Sequence, residues 1–257
     1  MSIVVCVRVY DGIVLGAESM TQLFGQVSGQ QQFIKAYSNA RKLYQIGKLP
    51  VGILTYGAGN VGQRSIESFV DEFGEVGGHE SLTIEELATK FRDFFNHYYQ
   101  DQFAQMEPGQ QPQIGFYVAG YSPNERIGAD REFIFPIGQV ARPRVTEFGG
   151  SWRGISMPLT RLLVGIDPRL MGIMQAQGIS QDVIQQVQQQ VIANLGTPIA
   201  FDGMPVKDAI GYCRFMLETT IAIATYEIGV PTCGGPLQIA VITKSDGFRW
   251  VSRPDFI

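Results

Sequence analysis

Residues 2–18, SIVVCVRVYDGIVLGAE, constrain the rest of the chain more than any other stretch. Two apolar runs, 3–9 and 13–17, flank Tyr10-Asp11-Gly12. Runs of strand length, the first rich in β-branched residues, meeting at Asp-Gly predict an antiparallel hairpin. The first strand begins on a hydroxyl residue, Ser2, directly after Met1. Its partner ends in a carboxylate, Glu18, within an otherwise apolar run. In a short hairpin the start of one strand lies beside the end of the next. Ser2 and Glu18 are therefore expected close together, at one edge of a buried sheet.

The 257 residues are 45% apolar and 17% charged, which describes a globular chain with ample core. A net charge of −4 leaves no electrostatic footprint for nucleic acid, and no basic run suits an anionic membrane surface. Cys6, Cys213 and Cys233 are odd in number and scattered, with neither disulfide nor metal-ligand spacing, so a reducing cytoplasm is expected. The N-terminus lacks the features of a signal peptide. The longest apolar stretch, 209–230, is interrupted by Arg214, Glu218 and Glu227 and does not read as membrane-spanning. His79 and His97 stand apart, so neither a metal nor a cofactor is expected.

Further along, 22–32 is rich in Gln and Gly, has no period, and reads as a loop or hairpin tip. Residues 41–46 and 51–56 read as strands around the turn 47–50. The period then switches. Val61, Ile66, Phe69, Val70 and Phe73 follow helical spacing, and a second helix runs to about 99. Thr83 with Glu86 offers it a capping box. Strands return at 113–121 and 132–135, with shorter candidates at 145–148 and 155. Helices follow over 158–164, 169–177, 181–195 and 206–228, and a hairpin over 237–251 closes the chain. Tight turns within each group of strands favour antiparallel sheets over βαβ alternation. One domain over 1–257 is expected.

Two constellations carry chemistry. Gly57-Ala58-Gly59-Asn60-Val61-Gly62 matches G-x-G-x-x-G, the dinucleotide fingerprint, but it follows a late strand, and no crossover returns to a parallel strand bearing an acid. The simpler reading is a strand-to-helix turn whose N–H groups hold an anion or oxyanion. The second set is Ser2, Glu18 and Lys42. Taken singly these are a common second residue and a buried ion pair. Together, with a glycine turn after the next strand, they make a nucleophile, a lysine held by a carboxylate, and an oxyanion donor.

The stretches SIVVCVRVYDGIVLGAES, ARKLYQIGKLPVGILTYGAGN and CGGPLQIAVITKSDGFRWV, in that order, resemble a β-type proteasome subunit. That group of N-terminal-nucleophile hydrolases includes the simpler bacterial proteasome-like peptidases. The resemblance implies an α+β fold, a four-layer α-β-β-α sandwich of two antiparallel sheets. It also implies assembly of identical subunits into a ring or ring-like stack around a proteolytic chamber. A helical elaboration at about 165–205 exceeds the family core and is expected at a subunit interface.

Carried over residue by residue, the resemblance puts the family's N-terminal threonine at Ser2, its acid at Glu18 and its lysine at Lys42. The oxyanion-hole glycine falls at Tyr56 or Gly57. Supporting roles fall at Ser156 and Glu227, and pocket positions at Thr21 and Leu54, which implies apolar side chains in the substrate. The implied reaction is attack by the Ser2 hydroxyl on a peptide carbonyl, with the α-amino group, freed by loss of Met1, as general base. Peptides or unfolded proteins are the implied substrates and an ATP-dependent unfoldase the implied partner. The alternatives are an inactive structural subunit of the same fold, or an amidase acting on a non-protein amide.

Overall fold

A computed structural model describes residues 2–27, 30–107 and 109–253. The opening hairpin forms as expected from β1 (Ile3–Val9) and β2 (Gly12–Ala17), and Tyr10-Asp11 is the two-residue turn because Val9 pairs with Gly12. Three more strands extend this sheet. β11 (Gly149–Gly154) pairs with β1, and β12 (Gln238–Thr243) with β2 and β13 (Gly247–Ser252), all antiparallel. A second antiparallel sheet has the order β10 (Ala129–Phe135), β9 (Ile114–Gly120), β6 (Val51–Gly57) and β5 (Leu43–Gln45).

The run IVVCVRV can be apolar without alternation because both faces of β1 are covered. The long helix α6 (Val206–Tyr226) packs on β1 and β2. On the other face Val4, Cys6, Leu15 and Ala17 share one apolar cluster with Leu43, Leu54 and Tyr117 of the second sheet. A further cluster joins Ile53, Phe116 and Phe133 to Phe69 and Phe73 of α1 (Ile66–Val76) and Phe91 and Phe95 of α2 (Ile84–Phe103). Each such side chain contributes about 1.5–3 kcal/mol on burial. The Phe91 and Phe116 rings meet edge-to-face at 5.1 Å. Thr83 and Glu86 form the expected reciprocal cap of α2.

Polar ties also cross between the sheets. Arg8 of β1 donates to Asp130 of β10, which also accepts from the Tyr117 hydroxyl and lies 2.8 Å from Arg144 Nη2. Asp130 is buried, and two guanidinium groups answer its charge.

Four local expectations are corrected. The stretch at 22–32, expected as a loop or hairpin tip, lies largely in strands β3 (Thr21–Val27) and β4 (Gln30–Tyr37), a two-stranded sheet of its own, which corrects the loop alternative; 28–29 lie outside the described residues. Leu23, Phe24, Phe33 and Ile34 are exposed there, so no buried face imposes an alternating pattern. The strand sought at 145–148 sits at 149–154, where GGSWRG has little intrinsic strand preference and is recruited by pairing with β1. The first helix starts at Ile66 rather than Val61, because β7 (Asn60–Val61) and β8 (Arg64–Ser65) pair first and Ser65 then caps the helix. The G-x-G-x-x-G stretch is thus not at a helix N-terminus. The segment at 158–164 is α3 (Met157–Leu159) continuing as a π-helix over Thr160–Val164.

The chain divides into two compact units, Met1–Gly154 with Phe201–Ile257, and Ile155–Ala200. The first holds both large sheets, α1, α2 and α6. The second holds α3, the π-helix, α4 (Arg169–Ala176) and α5 (Gln181–Leu195), closed by a bond from Thr197 N–H to Leu163 O at 2.9 Å. Among the described residues no helix is long and apolar enough to cross a membrane.

Candidate functional site

β2 ends where Glu18 donates its N–H to Ile3 O at 3.3 Å. Ser2 is the next residue back from Ile3 and is buried, so the opening hairpin brings Ser2 and Glu18 to the same end of two central strands, not to the sheet edge expected, because β11 and β12 pair outside β1 and β2. The Glu18 carboxylate is inaccessible to solvent. Its Oε1 accepts from Lys42 Nζ, and its Oε2 accepts from Met20 N–H at 2.7 Å and Gly234 N–H at 3.1 Å. Lys42 Nζ also donates to Met20 O. Each charge is thereby paired and hydrogen-bonded, the condition under which a buried ion pair is tolerated. Burial pulls the Lys42 ammonium below the usual lysine range, and the adjoining Glu18 carboxylate opposes that pull. Cys233 lies near this pair, and burial, reinforced by Glu18, pushes its thiol up to about 12.

The backbone that carries Lys42 is clamped from two sides. Thr55 N–H donates to Lys42 O at 2.9 Å. On the other side the fully buried Gln238 of β12 accepts from Lys42 N–H at 2.9 Å and Leu43 N–H at 3.1 Å through one oxygen. Its Nε2 donates to Ala40 O at 2.8 Å. Ser19 Oγ lies 2.6 Å from Ser38 O and 2.7 Å from Pro236 O, binding the same segments together.

Strand register separates the two oxyanion-donor candidates. Tyr56 pairs with Gly115, and Ala58 N–H bonds Gln113 O at 2.9 Å, so the N–H groups of Tyr56 and Ala58 point toward β9. Alternation then turns the Gly57 N–H to the opposite side, the side on which Thr55 meets Lys42. Gly57 has φ +95°, and a Cβ there would sit 2.2 Å from Gln113 O, so only glycine fits without strain.

The remaining candidates are dispersed. Thr21 opens β3, half-buried. Leu54 is fully buried in the cluster between the sheets. Ser156 belongs to the second unit, where its carbonyl accepts from Thr160 N–H at 2.9 Å. Glu227 is exposed at the end of α6. Gln238, Gly234 and Ser19 were not singled out from the sequence. The signal for Gln238 was present: a long polar residue opening an apolar strand run, as Glu18 closes one.

No family model matches the chain, and no curated protein matches it. Among solved structures, the chain is similar to Anbu (ancestral beta-subunit) from Yersinia bercovieri, with 14% identity and a TM-score of 0.53 over 97% of this chain and 87% of that one. It is similar also to the Anbu complex from Pseudomonas aeruginosa, described as a helical assembly, with 14% identity and a TM-score of 0.59 over 98% and 88% of the two chains. These likenesses show the fold. They correct the assignment to β-type subunits of the N-terminal-nucleophile hydrolases: the likeness is to Anbu, and at 14% identity it carries chain path rather than catalytic residues.

Proposed function

We propose that this Anbu-like chain is a peptide-bond hydrolase that assembles from copies of itself and acts through Ser2 once Met1 is removed. The observation that carries the reading is the buried Lys42–Glu18 pair, held by Met20, Gly234 and Gln238 beside the start of β1. At a purely structural strand end two buried charges would be costly and replaceable by apolar side chains. The helical assembly described for the Pseudomonas protein supports self-association. In this reading the layers stack in the order α-β-β-α within one domain over 1–257, and the helical region at about 165–205 makes subunit contacts.

The proposed chemistry uses the chain's own groups. The Ser2 hydroxyl attacks the carbonyl carbon and its proton passes to the Ser2 α-amino group, whose ordinary pKa of about 7.7–8.0 suits a base. The Gly57 N–H holds the oxyanion, a contribution of roughly 3–4 kcal/mol. Lys42 supplies positive field and Glu18 fixes it. The protonated amine then protonates the leaving nitrogen, and water, activated by the same amine, releases the acyl group.

The test is intact mass together with hydrolysis of unstructured peptides. Loss of Met1 and loss of cleavage in Ser2→Ala support the proposal. Retained Met1 with no cleavage supports the inactive structural subunit instead, and a monomer at micromolar concentration by native mass argues against assembly.

A further inference from the structure

At the mouth between the two sheets an open cavity of about 330 Å³ is lined by Tyr56, Glu132, Ile137, Gln139, Ala141 and Arg153, among others. Three strands place it beside the start of the chain. Ile3 pairs with Gly154 and Val4 with Arg153, so Arg153 projects from the same sheet face as Val4, and Ser2 lies two residues before Val4. Tyr56 immediately precedes Gly57. Its ring lies over Gly115, where a Cβ would be 2.1 Å from the ring, so glycine is what admits the ring as a wall.

The cavity's charges are already spent. Arg153 grips Glu132 with two bonds, at 2.6 and 2.7 Å, and its Nη1 donates to Trp152 O at 2.8 Å. This pair reaches from β11 to β10, closing the floor as a neutral unit. Burial, reinforced by Glu132, pushes the Tyr56 hydroxyl up to about 12, so this wall too is uncharged at neutral pH. Ile137 and Ala141, both exposed, form the rim, with the Ile137 side chain 76% accessible. Apolar walls over a charge-neutral floor favour an uncharged, apolar side chain and penalise a charged one, which would lose its hydration with no counter-ion to meet.

We infer that this cavity is a side-chain subsite, taking an aliphatic or aromatic residue of a peptide bound where Ser2 leads into β1 of one sheet and Gly57 ends β6 of the other. The inference rests on the hydrolase reading, because it supposes a peptide lying at Ser2. It differs from a role for Leu54, whose side chain is enclosed in the core.

The experiment uses the full chain and a panel of fluorogenic peptides in which each position near the cleaved bond is varied in turn through Ala, Leu, Phe, Asp and Lys. One position is expected to favour Leu or Phe over Asp or Lys by about tenfold or more in kcat/KM. Ala141→Trp, which fills the cavity, and Ile137→Asp, which charges its rim, should each reduce that preference to within about twofold, chiefly through KM. Because Ile137 is exposed, its replacement keeps the test valid if Ala141→Trp does not fold. A preference that persists in Ile137→Asp, or none in the wild type, overturns the subsite. If no peptide is hydrolysed the Ser2 reading fails instead. Calorimetric binding of uncleaved Leu- and Asp-containing peptides to Ser2→Ala and to Ser2→Ala/Ile137→Asp then decides the cavity by itself. A Leu preference lost with Ile137 supports it, and equal or absent binding overturns it.

Discussion

Glu18 and Lys42 lie 24 positions apart and meet as a buried ion pair, joined through both the N–H and the carbonyl of Met20. The β3–β4 hairpin is the excursion between them, so the pair closes the base of that hairpin. Replacing one partner strands the other charge in a dry site. Glu18→Gln and Lys42→Met are each expected to cost about 3–5 kcal/mol by urea unfolding. The double variant should recover most of that loss while remaining inactive. Additive losses in the double variant would show that the two groups do not act as a pair.

Gln238 holds the chain at Lys42 through three hydrogen bonds. Gln238→Ala leaves buried N–H groups without an acceptor, at a cost of about 1–3 kcal/mol. It should also lower kcat roughly 10²-fold with little change in KM, because a displaced ammonium impairs the reacting geometry rather than substrate binding. A loss confined to stability would make Gln238 purely structural.

The pH profile follows from two groups. Activity should rise as the Ser2 amine loses its proton near pH 8 and fall again as Lys42 does, below the ordinary lysine value near 10.4 because burial lowers it. Tyr56→Phe should leave both limbs in place, since that hydroxyl is pushed up to about 12. Linkage gives a second readout. With its folded pKa below its unfolded one, Lys42 binds fewer protons when folded, so its contribution to stability rises with pH between the two values. Wild type should therefore gain on the Glu18→Gln/Lys42→Met variant as the pH rises toward the ordinary lysine value near 10.4, and a constant gap contradicts the assigned shift.

Asp130 faces the Arg8 guanidinium across the sheet gap, and also meets the Arg144 guanidinium and the hydroxyl of Tyr117 on the neighbouring strand of its own sheet. Asp130→Ala strands Arg8 and Arg144 and should cost about 3–5 kcal/mol. Asp130→Asn keeps an acceptor for Tyr117 but loses the countercharge, and should fall between. Thermal unfolding in the two variants reads the order directly.

The hairpin of β1 and β2, the capped α2 and the closing β12–β13 hairpin were all legible in the sequence: burial on both faces leaves apolar runs without alternation around Asp11-Gly12, and burial on one face gives α2 its helical period. At 22–32 the sequence leaves loop and hairpin tip both open, because Phe24 and Phe33 stay exposed and enforce no period. β11 was displaced because GGSWRG gains its extended form from pairing with β1 rather than from propensity. The Glu18–Lys42 pair could be suspected because charges stood out in apolar strands. Its bond to Gly234 and the clamp from Gln238 depend on chain paths across 216 and 196 positions, which no local pattern encodes.

The most direct measurement is the mass of the chain quenched early in its reaction with an activated peptide ester, followed by tryptic mapping. A transient acyl increment on residues 2–8, lost in Ser2→Ala and absent while Met1 is retained, is the predicted result. An unmodified N-terminal peptide in a chain that hydrolyses the ester, or an adduct mapped elsewhere, would contradict the claim that Ser2 is the nucleophile.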